Sequence, residues 1–298
     1  MYNVCMSNTK VSIILPSRNE IFLQKTILDL LAKAKGDIEV IAICDGYYPP
    51  AEEIVNDKRV IYFHEGTAKG LRNGINMGAS LSTGKYLMKL DAHCMVDEGF
   101  DEKLKEGCDD MTVIIPRRKR LDPFKWEIQD VGKLDVDYEF LSYPYWKPDE
   151  VGIHGTIWDQ RIKERLNDPR YDIDEDMSFQ GSCWFMTKNF FLNTLEGMQE
   201  EGYGTFIGEP QEISMKVWLS GGRLLRNKKT WYAHWHKGKE HGRGYFIDKR
   251  GLIKGNAYSV DYWMNNRWPK AIHDMAWLIE HFWPVPTWPE DRSLWKLK

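Results

Sequence analysis

The chain has 298 residues, and a composition that is 42% hydrophobic and 29% charged is that of an ordinary globular protein able to bury a substantial core. No stretch approaches the roughly 18 apolar residues that a membrane span needs, so none is expected. The formal net charge of -3 hides a local excess: residues 219–254 carry ten Lys and Arg against Glu240 and Asp248 alone, a balance suited to an anionic ligand.

The first eight residues lack the basic-then-apolar pattern of a secretory signal, and the expected compartment is the cytoplasm. Cys5, Cys44, Cys94, Cys108 and Cys183 form an odd, widely spaced set without a Cys-x-x-Cys pair. This argues against a disulfide framework or a zinc ribbon and for reduced, mostly buried thiols.

In chain order, residues 11–15 are a β-branched run stopped by Pro16, and residues 21–34 carry apolar side chains at helical spacing. A second apolar run, 38–44, stops at Asp45-Gly46; a helix is expected near Glu52, and a third run covers 60–63. A helix over about 70–81 leads into a fourth strand, 86–90, that ends at Asp91. This alternation implies an α/β fold: a mostly parallel central sheet with helices on both faces and ligands beyond the carboxyl ends of its strands. After residues 113–116 the rhythm breaks, and 117–175, with Arg117-Arg118-Lys119-Arg120 near its start, reads as an insertion shaping an acceptor site. Patterning returns at 179–188, in a helix over 211–220 and at 229–234. The domain expectation is a catalytic unit over 1–260 and a Trp/Pro-rich extension over 261–298 packed on it, since the tail holds six of the thirteen Trp.

Asp91 and His93 end the fourth strand two residues apart, a spacing that turns both side chains the same way in extended chain and lets both face one ion. A divalent cation there would act as a Lewis acid on a leaving diphosphate. By themselves Asp-x-His, Ser17-Arg18-Asn19-Glu20 and Asp45-Gly46 are also ordinary turn and cap sequences.

The segment from Gly70-Leu71 through Gly78-Ala79 and Thr83-Gly84 to Asp91-Ala92-His93-Cys94 resembles the donor-binding core of nucleotide-sugar glycosyltransferases of the GT-A, Rossmann-like fold. It looks most like the polypeptide N-acetylgalactosaminyltransferases and family 2 catalytic domains. The likeness continues, in the family's order, through Gln180-Gly181-Ser182-Cys183-Trp184, Gly208-Glu209-Pro210-Gln211-Glu212, Trp218-Leu219-Ser220-Gly221-Gly222 and Trp231-Tyr232-Ala233-His234.

The resemblance implies a UDP-sugar-dependent hexosyltransferase with Mn2+ or Mg2+ on Asp91, His93 and His234, with His236 as the competing third ligand. It assigns Pro16, Ser17, Asn19 and Glu20 to the first nucleotide loop, Asp45 to the uracil, and Lys69, Arg72 and Asn73 to ribose and phosphate. Gly181 and Ser182 are expected beside the donor sugar, Glu209 on the sugar or acceptor, and Glu212 either there or orienting the following helix. His236, Lys237 and Arg243 fall in a Gly-rich basic loop suited to closing over phosphates. Inverting family 2 enzymes place an Asp base after the Glu; Pro210 stands there, which points towards retention. Expected partners are the nucleotide sugar and either a glycan or a hydroxymethylated base in viral DNA, the latter because two basic, aromatic-rich patches suit a nucleic acid. No obligate protein partner is evident, and a bare catalytic core is expected. The competing classes are a sugar nucleotidyltransferase, disfavoured by the glycine-free loop 17–20, and a non-catalytic binding module.

Overall fold

A computed structural model of the chain describes residues 9–147, 149–237 and 248–296. The first half alternates as β1 (Val11–Ser17), α1 (Leu23–Lys33), β2 (Ile38–Asp45), β3 (Val60–Glu65), α2 (Leu71–Leu81), β4 (Tyr86–Leu90), β5 (Cys94–Val96) and α3 (Phe100–Lys105). Then follow β6 (Thr112–Asp122), β7 (Glu127–Ile128), β8 (Glu139–Leu141), β9 (Gly155–Ile157), α4 (Asp159–Glu164), β10 (Ile173–Glu175) and β11 (Cys183–Thr187). The chain continues with α5 (Glu209–Leu219), β12 (Arg223–His234), α6 (Lys249–Met264) and α7 (Met275–Phe282).

The main sheet runs β10-β12-β6-β11-β4-β1-β2-β3, with β5 on β12 and β7 on β6; β8 and β9 form a separate hairpin. Strands β3, β2, β1 and β4 are mutually parallel, as are β6 and β12, and β11 joins the two blocks by antiparallel pairing with β4 and β6. Side chains alternate across the sheet: Val11, Ile13 and Leu15 face the core containing Leu23, Ile27 and Leu30 of α1, whereas Ile14 faces Ile75 and Ala79 of α2. Helix α2 reaches its close seat because Gly78 has no side chain; a Cβ there would collide with Ile14. Met275, Leu278, Phe282, Trp288 and Trp295 of the C-terminal segment share one core with Trp218 of α5.

Two expectations change. The helix near Glu52 is a single 3-10 turn, Ala51–Glu53, which ends where Ile54 takes up extended backbone. The insertion does not begin at 117: β6 runs to Asp122, and its charges are accommodated by distant partners. Arg117 makes two hydrogen bonds to Asp137 at 2.8 and 2.7 Å, Lys119 lies 3.5 Å from Asp135, and Arg120 donates to Leu134 O. The Arg117-Arg118-Lys119-Arg120 run is thus part of the sheet and largely paired within the protein.

A buried ion cluster locks α2 to α5. Arg72 is 1% exposed and Glu212 0%. Arg72 Nη1 pairs with Glu212 Oε2, and Glu212 Oε1 lies 2.7 Å from Lys216 Nζ and accepts from Gln199 N at 2.9 Å. Arg72 also donates to Gln199 O and Ile207 O and stacks 4.0 Å over the Tyr203 ring. Removing the shared carboxylate would strand two buried cations. Glu212→Ala is therefore expected to lower the free energy of unfolding by about 3–5 kcal/mol, read from chemical denaturation; a loss below about 1 kcal/mol would contradict this account.

Candidate active site

The carboxyl ends of β1, β2 and β4 open into a cavity of about 1030 Å³, closed on its other side by the β8–β9 hairpin, the first turn of α5 and α6. Its wall includes Pro16, Ser17, Glu20, Asp45, Asp91, His93, Gly181, Glu209, His234, His236 and Lys237.

The ligand atoms of Asp91, His93 and His234 lie within 4.8 Å of one another. Strand β5 turns back after Asp91 to pair with β12, placing Cys94 opposite His234, so the last residue of a strand 141 positions away meets His93. The Nε2 atoms of His93 and His234 are 3.0 Å apart, and Asp91 Oδ2 lies 3.3 Å from His234 Nε2 and 4.0 Å from His93 Nε2. The 3.0 and 3.3 Å separations are those of neighbouring donors about one small divalent ion, and a carboxylate with two imidazoles is a donor set that would hold it.

The surrounding groups prepare the three ligands. His93 Nδ1 is 2.8 Å from Glu20 Oε2, a carboxylate that can hold the proton there and leave the Nε2 lone pair facing inward. Burial pushes His234 down to about 3, against the opposing pull of Asp91, which keeps the ring neutral as a ligand must be. Burial would raise the Asp91 carboxyl, but Lys89 and the two histidines hold it well below the usual carboxylate range.

Lys89, which the motif reading passed over, organises this region. It is 1% exposed in β4 and donates to Asp91 Oδ1 at 2.6 Å, to Glu209 Oε2 at 3.3 Å and to Gly181 O. Its signal was a lone charge in the apolar run Tyr86-Leu87-Met88-Lys89-Leu90. Glu209 also accepts from Trp184 Nε1 at 2.8 Å, and burial raises its pKa despite Lys89. Gly181 lies directly over it: a Cβ there would come 3.0 Å from Glu209 Oε2 and 3.1 Å from Pro210 Cδ.

On the opposite wall Asp45 accepts from Lys69 N at 2.6 Å and from Gly70 N at 3.1 Å, with Arg18 Nη1 at 4.0 Å. Ser17 Oγ is hydrogen-bonded to Tyr47 OH. Lys237 Nζ reaches Glu20 Oε2 at 2.7 Å, so the basic segment after β12 is tied to the first loop through one carboxylate. Glu20 Oε1, also buried, has no hydrogen-bond partner among the described residues.

Several expected site residues lie off this wall. Arg72 and Glu212 neutralise each other beneath it, which leaves Glu212 a structural rather than a reacting group here. Ser182 is fully buried and bonds Tyr232 OH at 2.8 Å, so of the Gly181-Ser182 pair only Gly181 faces the cavity. Lys69 directs its ammonium to Glu65 at 2.9 Å. Asn73 is half-buried on α2 and Asn19 sits in a turn at φ 51°, neither lining the cavity. His236 lies past the end of β12, its ring centroid 6.4 Å from that of His234, and is not in the triad. Arg243 lies outside the described residues. Arg118, within the basic run of β6, is 8% exposed with Nη2 3.4 Å from His234 Nδ1; Glu139 lines the far wall and has no local sequence signal.

Residues 12–163 match the family profile described as Glycosyl transferase family 2. Among curated relatives, the chain is 27% identical over 236 residues to "Putative polypeptide N-acetylgalactosaminyltransferase 13" of Drosophila melanogaster, covering 72% of this chain and 39% of the relative. It is 28% identical over 165 residues to "Polypeptide N-acetylgalactosaminyltransferase 3" of Taeniopygia guttata, covering 52% and 24%. The chain thus spans less than half the length of these relatives. Its fold is similar to the solved structure described as "Crystal structure of GalNAc-T7 with UDP, GalNAc and Mn2+", at TM-score 0.68 and 20% identity over 87% of this chain and 49% of that one. The profile covers just over half of the sequence and contains β1 to β4 with the Asp91-Ala92-His93 strand end, and the chain belongs to glycosyl transferase family 2.

Proposed function

We propose that this chain is a metal-dependent glycosyltransferase that moves a hexose or N-acetylhexosamine from a UDP-sugar to an acceptor hydroxyl with retention of configuration. The observation that carries the reading is the convergence of Asp91, His93 and His234 in a cavity large enough for a nucleotide sugar. The fold likeness to a structure with UDP, GalNAc and Mn2+ supports the same donor and ion. When bound, Mn2+ or Mg2+ supplies Lewis-acid stabilisation of the leaving diphosphate. Lys89 fixes one oxygen of Asp91 and leaves the other towards the histidines, while Glu20 orients His93. Lys237, which lines the cavity and pairs with Glu20, stands where it can face a bound diphosphate. The four described cysteines are free, which supports a reducing, cytoplasmic compartment.

Retention is supported by Pro210 at the position where a base would stand and by both Glu209 oxygens being already hydrogen-bonded. A hydroxymethylated DNA base gains no support from Arg117 and Lys119, whose charges are matched by Asp135 and Asp137.

With Mn2+ present, at least one UDP-sugar is expected to release UDP, and a chelator or Asp91→Ala should abolish the reaction. If no UDP-sugar is hydrolysed and calorimetry finds no metal-dependent UDP binding, the reading fails. Glu20→Gln is expected to weaken Mn2+ binding about 10–100-fold, measured by titration calorimetry, because it removes the carboxylate that orients His93. Proton NMR of fresh product should show the donor's anomeric configuration; the opposite anomer would rule out retention.

A further inference from the structure

The two histidines of the triad are backed by opposite charges. His93 Nδ1 lies 2.8 Å from Glu20 Oε2, whereas His234 Nδ1 faces the Arg118 guanidinium, with Nη2 at 3.4 Å. Strand pairing puts Arg118 there: it stands opposite Tyr232 in the parallel strand β12, whose same face carries His234 two residues on. Val136 N donates to Arg118 O at 3.1 Å, so the strand is also held from its other side. Arg118 forms no ion pair among the described residues, and its buried Nε has no hydrogen-bond partner there.

These contacts give the hydrogen bonds one direction. A guanidinium only donates, so His234 Nδ1 accepts and the proton of the ring sits on Nε2. From there it points at His93 Nε2, 3.0 Å away, and at Asp91 Oδ2, 3.3 Å away. His93 accepts at Nε2 and donates from Nδ1 to Glu20, which completes a chain from Arg118 to Glu20 with each ring nitrogen in one role. A ligand histidine ordinarily turns its second N–H to a carboxylate or carbonyl, as His93 does. For His234 to offer Nε2 to an ion, the proton must pass to Nδ1, opposite a cation that cannot accept it. The charges act the same way. With its acids and bases ionised, the cluster sets Glu20, Asp91 and Glu209 against Lys89, Lys237 and Arg118 and carries no net charge.

We propose, resting on the glycosyltransferase reading, that Arg118 is a positioning residue that withholds His234 from the ion, so that the ion is held tightly only together with the nucleotide diphosphate. Its guanidinium works against a second positive charge at the triad, and that opposition eases when a diphosphate brings negative charge to the same cavity. The proton of His234 then moves from Nε2 to Nδ1 as Nε2 takes the ion; none enters or leaves the ring. Donor and ion thereby bind as a pair, each raising the affinity of the other by the same factor.

The test is calorimetry of Mn2+ binding to the full chain with and without UDP. For the unaltered chain, UDP is expected to tighten Mn2+ binding about tenfold or more. Arg118→Met should tighten Mn2+ binding without UDP about tenfold or more and shrink the effect of UDP accordingly. Arg118→Lys keeps a cation that only donates and should bind Mn2+ as the unaltered chain does. Structural damage would weaken binding in either variant, so tightening is a readout that a merely structural role does not produce. In NMR spectra of nitrogen-labelled histidine, His234 of the unaltered chain should carry its proton on Nε2 before Mn2+ is added. Mn2+ binding that is unchanged or weaker in a folded Arg118→Met chain overturns the proposal, as does equal tightening in Arg118→Lys. So does a proton on Nδ1 of His234 in the unaltered chain, or Mn2+ binding indifferent to bound UDP, and neither result depends on a variant folding. If UDP binds the unaltered chain neither alone nor with Mn2+, the glycosyltransferase reading itself falls, while the Arg118→Met comparison, made without nucleotide, still decides whether Arg118 opposes the ion.

Discussion

The site is arranged around one buried cation. Lys89 sits in the middle of the sheet at 1% exposure, where an uncompensated ammonium would cost several kcal/mol. It is compensated by Asp91 at the end of its own strand, by Glu209 at the start of α5, and by the carbonyl of Gly181. Three segments far apart in the chain are thereby held to one point. The pairing also divides the Asp91 carboxylate: Oδ1 is taken by Lys89, so Oδ2 faces His93 and His234.

That division bears on why an ion is needed at all. The lysines described near the triad are already matched, Lys89 to Asp91 and Glu209, Lys237 to Glu20. Under the proposed reading, a diphosphate arriving there would meet little uncommitted positive charge from these lysines, and a divalent cation held by the triad would add to it. Glu20 links the two halves of this arrangement, since one of its oxygens contacts both His93 and Lys237. One carboxylate thus bridges a histidine of the triad and the first lysine after β12.

Much of this was legible in the sequence wherever the signal was local. Strands β1 to β4 announce themselves by β-branched runs stopped at Pro16, Asp45-Gly46 and Asp91, and the two-residue spacing of Asp91 and His93 is enough to put both on one side. His234 needed the order of distant motifs, because only the turn through β5 brings it back to His93. What stayed hidden was charge compensation across long separations. Arg117 to Arg120 read as an exposed basic patch because Asp135 and Asp137 come well after them, and Arg72 and Glu212, 140 residues apart, each read as a candidate site residue. Glu139 has no local signal; its carboxylate comes close to the facing strand only because Gly155 there has no side chain.

Pro210 shows how packing and chemistry are exchanged at one position. In the first turn of α5 it suits the helix start after Gly208, which sits at φ 70°, and its ring lies against Gly181. Glu209 beside it is turned inward to Lys89 and Trp184, so that both of its oxygens are engaged. Under the proposed reading, acceleration would come from holding the donor, the ion and the acceptor hydroxyl in register, with the departing diphosphate available to take the acceptor's proton.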